Sequence, residues 1–324
     1  SRRTGLKDQA EIEEAVKPKL GIHRFAIILA CFTVVLLAAG ALVTSNEAGD
    51  SVPDWTLSFG RWLVSQDQFV ANVRYEYSHR FLAGVVGAAT LLLSVWTWFG
   101  ERRGWMRKLA MTVFAGVVVQ AAIGGVRVLF PEYKALIAVP HALVAQSFFG
   151  AVVAIAVFTS GSWFAQRAFR LDLGTPSLRT LSAVTIAMVL IQLVLGAGFR
   201  HQAFGIAPHV VGAIVVASLI IWTSVVVLGR HRGDAYLTRP ALLAAILVVL
   251  QIGLGIAAYF ARLASAGDPQ PLEPMISLTV AHLVVGALTL ATMVVLTLRT
   301  HRALASPPVV ANPALASPTR RAVV

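Results

Sequence analysis

Residues 75–84 read Tyr75-Glu76-Tyr77-Ser78-His79-Arg80-Phe81-Leu82-Ala83-Gly84, and the chain then continues almost wholly apolar to Gly100. Such a run is long enough to cross a hydrocarbon core as a helix, which takes about 20 apolar residues. Its mouth nevertheless carries a carboxylate, an imidazole and a guanidinium. Residues three apart share a helix face, so Glu76 and His79 can address one ligand together. Ionisable groups at the edge of a bilayer core are expensive and mark function. His141, His209 and His282 open later apolar segments in a comparable way. The rest of the chain reads as a scaffold for these four histidines.

Composition supports that reading. Of 324 residues, 57% are hydrophobic and only 13% charged, with a mean hydropathy of +0.76. A soluble protein carries about 25% charged residues; this chain is built for lipid. The net charge of +12 raises nucleic acid as a partner, but Lys and Arg sit in short connections and in the two tails. That is the pattern of membrane topology rather than of a binding stripe, and nucleic acid is excluded. The single cysteine, Cys31, rules out disulfides and iron–sulfur clusters within one chain. Residues 1–20 are mostly polar, so no cleavable signal is expected and the first span directs insertion.

Eight apolar runs follow, at about 22–45, 78–100, 108–130, 136–160, 179–199, 208–229, 240–262 and 277–298. The fold expected is an all-α integral membrane protein whose eight transmembrane helices form two parallel four-helix bundles, related by a pseudo-two-fold axis along the membrane normal. The divisions are a cytoplasmic tail 1–21, an N-terminal half 22–160, a cytoplasmic linker 161–178, a C-terminal half 179–300 and a disordered cytoplasmic tail 301–324. Glu11 to Glu14 read as a short surface helix or as flexible chain. With both termini inside, 20 of the 27 basic residues fall on the inner face. That bias sets the orientation and puts the four histidines near the outer ends of the even-numbered helices.

An internal repeat is visible. His79 and His209 each open the second helix of a half, and His141 and His282 the fourth. Gln120-Ala-Ala-Ile-Gly-Gly matches Gln251-Ile-Gly-Leu-Gly-Ile, and Gly40-Ala41-Leu42-Val43 has a fainter echo at Gly196-Ala197-Gly198-Phe199. His79 precedes Gln120 by 41 residues and His209 precedes Gln251 by 42. Four helices per half make the repeats parallel. Gly84, Gly87, Gly124, Gly125, Gly253 and Gly255 either let helices approach closely or merely relieve crowding.

A lone membrane histidine is more often a packing residue than a ligand, but two per repeat at matched depth change the balance. Paired neutral imidazoles are natural axial ligands of haem, and bundle interiors hold such cofactors. His79 with His141, and His209 with His282, account for all four. His23, His231 and His301 belong to the inner belt, and His201 to an outer loop. The halves are unequal, because Ile206 stands before His209 where Glu76 stands before His79. Glu76 either pairs with Arg80 or Arg74, or serves chemistry at one site while the other only holds a cofactor. Arg80 and Arg200 either clamp haem propionates or snorkel to water. Trp55, in Gly49-Asp50-Ser51-Val52-Pro53-Asp54-Trp55, is an interface anchor or part of a lid.

These motifs together resemble the haem A synthase family of membrane haem-modifying monooxygenases. The resemblance spans essentially all eight runs and rests on Gly40-Ala-Leu-Val-Thr-Ser, Val52-Pro-Asp-Trp55, Glu76-Tyr-Ser-His79-Arg80, Gly198-Phe-Arg-His-Gln-Ala-Phe-Gly205, Pro140-His141 and Ala281-His282. It implies successive oxygenation, with O2, of a ring methyl group of haem O to the formyl group of haem A for cytochrome oxidase. It implies haem b as the cofactor on His209 and His282, substrate or product haem on His79 and His141, and Glu76 as the catalytic carboxylate. It also implies a multi-pass protein of a bacterial plasma membrane, an electron donor left unidentified, and haem O synthase as a partner that no residue here supports. Some members carry cysteine pairs in outer loops; this chain has none. The rival reading is a bis-histidine di-haem cytochrome b taking electrons from quinol, which leaves Glu76 unexplained. A transporter lacks the paired Gly/Pro breaks near midplane. Oligomeric state, homo-oligomers included, and the role of Cys31 stay open.

Overall fold

The computed structural model describes residues 17–165, 170–264, 266 and 272–305. The stretch Glu11 to Glu14, read as a short surface helix or as flexible chain, the tail beyond residue 305 and most of the Pro-rich loop after residue 264 lie outside these. Among the described residues there are eight long helices: α1 (Leu20–Ser45), α2 (Val73–Gly100), α3 (Gly104–Leu129), α4 (Lys134–Thr159), α5 (Leu178–Arg200), α6 (Ala207–Arg230), α7 (Ala235–Ala264) and α8 (Glu273–Ala303). All eight are long and apolar enough to cross a membrane, so the chain is an all-α, multi-pass membrane protein, as its composition requires.

Most helices outrun the apolar segments that announced them. α2 begins at Val73 rather than at residue 78, and α8 ends at Ala303 rather than at 298. Hydropathy marks only the part inside lipid, whereas backbone hydrogen bonding carries a helix on into the polar interface. The ends have local causes. Ser177 caps α5, its Oγ accepting from Thr180 N at 3.1 Å. Proline stands in the first turns of α6 and α8, where its missing N–H costs nothing.

In each half, consecutive helices pack together and the first closes on the fourth; α1, α4, α5 and α8 meet between the halves. Exchanging each of the first four helices for its counterpart in the second four returns the same set of packed pairs. Ser94 on α2 donates to the Ala110 carbonyl on α3 at 2.8 Å, and Ser224 on α6 donates to the Ala241 carbonyl on α7 at 2.9 Å. Each serine follows its half's first histidine at the same offset. Leu29, Leu93, Met106 and Ile155 are at the centre of one buried cluster, and Ile220, Leu237, Leu290 and Met293 of another. Large apolar side chains such as Phe99, Val211, Val225 and Val249 face outward, as lipid allows.

The helix ends away from the four histidines are tied by polar contacts that the apolar runs do not announce. Glu101, buried, pairs with Arg103 at 2.7 Å, and Arg103 also donates to the Phe158 carbonyl on α4 at 3.0 Å. Burial raises the Glu101 pKa, but bonding from Arg103 outweighs it and holds the carboxyl below its usual value. Strand β1 (Arg170–Leu171), in the linker, pairs in parallel with β2 (Leu304–Ala305), beyond α8. The first residues of the expected tail are thus ordered against the linker.

Candidate functional site

All four key histidines lie near the N-terminal ends of even-numbered helices, and each imidazole rests on a glycine near the C-terminal end of the helix before it. A Cβ built at Gly40 would stand 3.0 Å from His79 Cε1, at Gly124 3.3 Å from His141, at Gly196 2.9 Å from His209, and at Gly255 2.8 Å from His282. No side chain fits comfortably in that space, so the glycines let the Cε1 edge of each ring approach the neighbouring helix closely. Of the glycines expected to permit close approach, Gly124 and Gly255 do so here. Gly125 does so differently, under the ring of Trp55, while Gly84, Gly87 and Gly253 face open space.

His209 and His282 lie with ring centroids 6.3 Å apart and their planes 78° from one another. A metal ion bound between two ring nitrogens at ~2 Å each, with ~1 Å more to each ring centre, separates the centroids by about 6 Å. The C-terminal pair therefore fits bis-imidazole ligation of a haem iron. Its rings are held by glutamines. Gln192 Nε2 donates to the His209 carbonyl and to His209 Nδ1, both at 2.9 Å. His282 Nδ1–H donates to the Gln251 carbonyl at 3.1 Å, and the Gln251 amide donates to His282 Nε2 at 3.2 Å. At the other site, His79 Nδ1 and His141 Nδ1 are buried without a hydrogen-bond partner among the described residues.

Glu76 is only 4% exposed, in the first turn of α2. Its Oε1 accepts from Arg80 Nη2 at 2.6 Å, and its Oε2 accepts the backbone N–H of Ser51 at 2.8 Å and of Val52 at 2.9 Å. The carboxylate thus pairs with Arg80, as one sequence reading expected, and also ties the loop 46–72 to the mouth of the helix. Arg80 turns to the same loop. Nη1 donates to the carbonyls of Asp54 at 2.6 Å and Leu57 at 3.2 Å, and Nη2 to that of Val52 at 3.0 Å. Planar guanidinium geometry suits it to bind several acceptors at once.

Beyond Asp54 the loop turns back on itself. Phe59 and Gly60 both have positive φ, and Asp54 takes their N–H groups at 2.7 Å each. Burial raises the Asp54 pKa, yet these N–H groups and Arg80 outweigh it and hold the carboxyl below its usual range. The Trp55 ring lies on Gly125, one residue from the His141 cradle, and Arg127 donates to the Gly49 carbonyl at 2.7 Å. The loop is therefore clamped over the histidine-bearing end of the N-terminal half at Glu76, Arg80, Gly125 and Arg127.

Arg200 reaches across the halves: its Nη2 donates to the Ala41 carbonyl at 3.0 Å and to Ser45 Oγ at 2.8 Å, both on α1. His201, expected as a simple outer-loop residue, is partly buried and lies near enough to His141 to interact with it electrostatically. Burial, then Arg200 and Arg127, pushes its imidazole down from 6.5 to about 4. The folded protein thus binds fewer protons there than the unfolded chain. Stability from this group is complete above pH 6.5 and is lost as pH falls toward about 4. Thermal unfolding in detergent is expected to weaken across that window, and less so in His201→Gln; equal slopes for both proteins would contradict the assignment.

The profile of the COX15-CtaA family, described as cytochrome oxidase assembly protein, matches residues 23–208, which hold Glu76, Arg80 and two of the four key histidines, His79 and His141. The chain belongs to the COX15-CtaA family. Among curated relatives of this cytochrome oxidase assembly protein, the heme A synthase of Alkalihalophilus pseudofirmus is 27% identical over 266 residues, 74% of this chain and 87% of the relative. That of Exiguobacterium sp. is 24% identical over 238 residues, 68% of this chain and 78% of the relative. That of Shouchella clausii is 30% identical over 137 residues, 41% of this chain and 44% of the relative. The resemblance drawn from the motifs is borne out.

Glutamine positions and cradles were half visible beforehand. Gln-x-x-x-Gly occurs at Gln120, Gln146, Gln192 and Gln251; the repeat paired Gln120 with Gln251, and Gln146 lies at none of the four cradles. The Glu76 contacts to Ser51 and Val52 carried no sequence signal.

Proposed function

We propose that the chain is a haem A synthase, oxidising a ring methyl group of haem O to a formyl group by successive oxygenations with O2. The observation that carries this reading is the pair His209 and His282, at 6.3 Å between centroids, set within a four-fold arrangement of histidine on glycine. His209 and His282 would hold haem b, which supplies one-electron redox chemistry. His79 and His141 would hold the substrate and product haem. Glu76 is the only carboxylate within one helical turn of any of the four histidines. Held apart from water, it is placed to accept or deliver a proton at the substrate. Arg80 holds the loop that covers it. Arg200, both of whose bonds among the described residues leave from Nη2, is the better placed of the two arginines for a haem propionate.

The chain's own contributions are thus to bind two macrocycles, to orient one beside Glu76, and to limit water through the loop 46–72. The two sets of four helices make a substrate half and a cofactor half, related by an axis along the membrane normal. Both termini face the cytoplasm of a bacterial cell, and the haem sites face outward. The test is to purify the protein from a host that also makes haem O, extract its haem and identify it by mass. Haem b together with haem O, a hydroxylated intermediate or haem A is expected. Haem b alone would replace this reading with an electron-transferring di-haem cytochrome, and no haem would remove both.

A further inference from the structure

The two halves differ where their second helix turns into their third, at the ends away from the histidines. In the first half a buried acid fills this corner: Glu101, only 1% exposed, pairs with Arg103 at 2.7 Å, and its carbonyl accepts from Arg107. At the same offset in the second half stands His231, which follows His209 as Glu101 follows His79. There α6 and α7 leave a pocket of about 270 Å³ lined by Leu228, Arg232, Thr238, Arg239 and Leu242. Two guanidiniums face one space, and no carboxylate lines it among the described residues. Asp234, the one acid of the connection, caps α7 instead, its Oδ1 accepting Tyr236 N at 3.0 Å. The Thr238 hydroxyl already donates to the Asp234 carbonyl at 3.1 Å, so the arginines are the donors that the pocket offers.

We infer that this corner is a binding site for an anionic glycerophospholipid, its phosphate held between Arg232 and Arg239 and its acyl chains laid along Leu228 and Leu242. The site stands independently of the haem reading above. Arg232 Nε donates to the Leu228 carbonyl at 3.3 Å, which ties the guanidinium to the last turn of α6 and leaves both Nη groups open. The Arg239 side chain has no hydrogen bond or ion pair among the described residues. By contrast, Arg103, Arg299 and Arg302 at the same end of the bundle each donate to a carbonyl, of Phe158, Tyr236 and Trp163 respectively. Guanidinium groups suit phosphate oxygens, and basic pockets between membrane helices take acidic head groups. The surface that continues from the pocket is apolar: Leu242, Ile246 and Val249 share one face of α7, and Val225 is exposed on α6. Its own acyl chains deliver a lipid phosphate at the depth of the helix ends, whereas free phosphate must be drawn from water.

The experiment uses the full chain in detergent micelles, with lipid retention read by native mass spectrometry against added phosphatidylglycerol or phosphatidylcholine. Wild-type protein is expected to retain one phosphatidylglycerol on the order of 10-fold more tightly than the zwitterionic lipid, whose choline cancels its phosphate charge. Arg232→Gln and Arg239→Gln are each expected to weaken that retention about five-fold, and together about 25-fold, as basic groups facing an acidic head group are removed. Should the double variant fail to fold, the single ones decide. Lys108→Gln removes a charge two residues before Ala110, as Arg239 stands two before Ala241, and is expected to leave retention unchanged. Equal retention of both lipids by wild-type protein, or full retention of phosphatidylglycerol in the arginine variants, would overturn the site. An equal loss in Lys108→Gln would reduce it to general surface charge. Displacement of the lipid by millimolar inorganic phosphate would leave a phosphate site and overturn the lipid assignment.

Discussion

His209→Ala and His282→Ala are each expected to lose the b-type haem, with retention falling by about 100-fold or more. Outer-shell substitutions already cost about 10–100-fold in metal affinity, and here a ligand itself is removed. The remaining imidazole cannot compensate, because it rests against Gly196 or Gly255 and supplies one ring where the pair, 6.3 Å apart, supplied two. The helices should survive the change, since the cores around Ile220 and Leu290 lie apart from the ring. The measurement is the absorption spectrum and haem-to-protein ratio of the purified variants. A full b-type spectrum in His209→Ala would sink the ligand assignment.

The second large effect is at Glu76. Glu76→Gln is expected to keep haem bound and to lower formyl formation by about 10²–10⁴, the range that a positioned general acid or base contributes. Glu76→Ala should do the same and also loosen the outer loop, because Ser51 N, Val52 N and Arg80 lose their acceptor. Removing one partner of a buried ion pair costs about 3–5 kcal/mol, and Arg80 keeps three carbonyls, so the lower end is expected. Limited proteolysis of the loop separates the two effects. Haem A made at the normal rate by Glu76→Gln would refute the proton-handling role. Equal losses in Glu76→Gln and Arg80→Ala would reduce Glu76 to a loop anchor.

Much of this organisation is legible in the chain itself. Eight apolar runs must become eight helices, because only helices and closed barrels satisfy every backbone group in lipid. The four histidines, the acid before His79 and its absence before His209 stand out for the same reason, since lipid makes every ionisable group conspicuous. Positions that are apolar, small or merely polar carry no such signal. Gly40 and Gly196 show in the sequence only as a faint repeat, and nothing there says that a ring rests against them. Ser51 and Val52 contribute only backbone N–H groups to Glu76, and every residue but proline has one.

What the amino-acid order determined alone is therefore the class of protein, the number of spans and the four histidines with their attendant acid. Hydrophobic transfer and backbone satisfaction act on each segment separately and can be read one segment at a time. What only the tertiary structure decided is which groups meet: glycine under imidazole, glutamine on the C-terminal pair alone, Arg80 and Glu76 turned to the loop, Arg200 bridging the halves and His201 drawn toward His141. Those contacts depend on the rotation and depth of one helix against another. Close packing of small residues sets that rotation and depth, and in lipid the apolar pattern is nearly the same on every face of a helix.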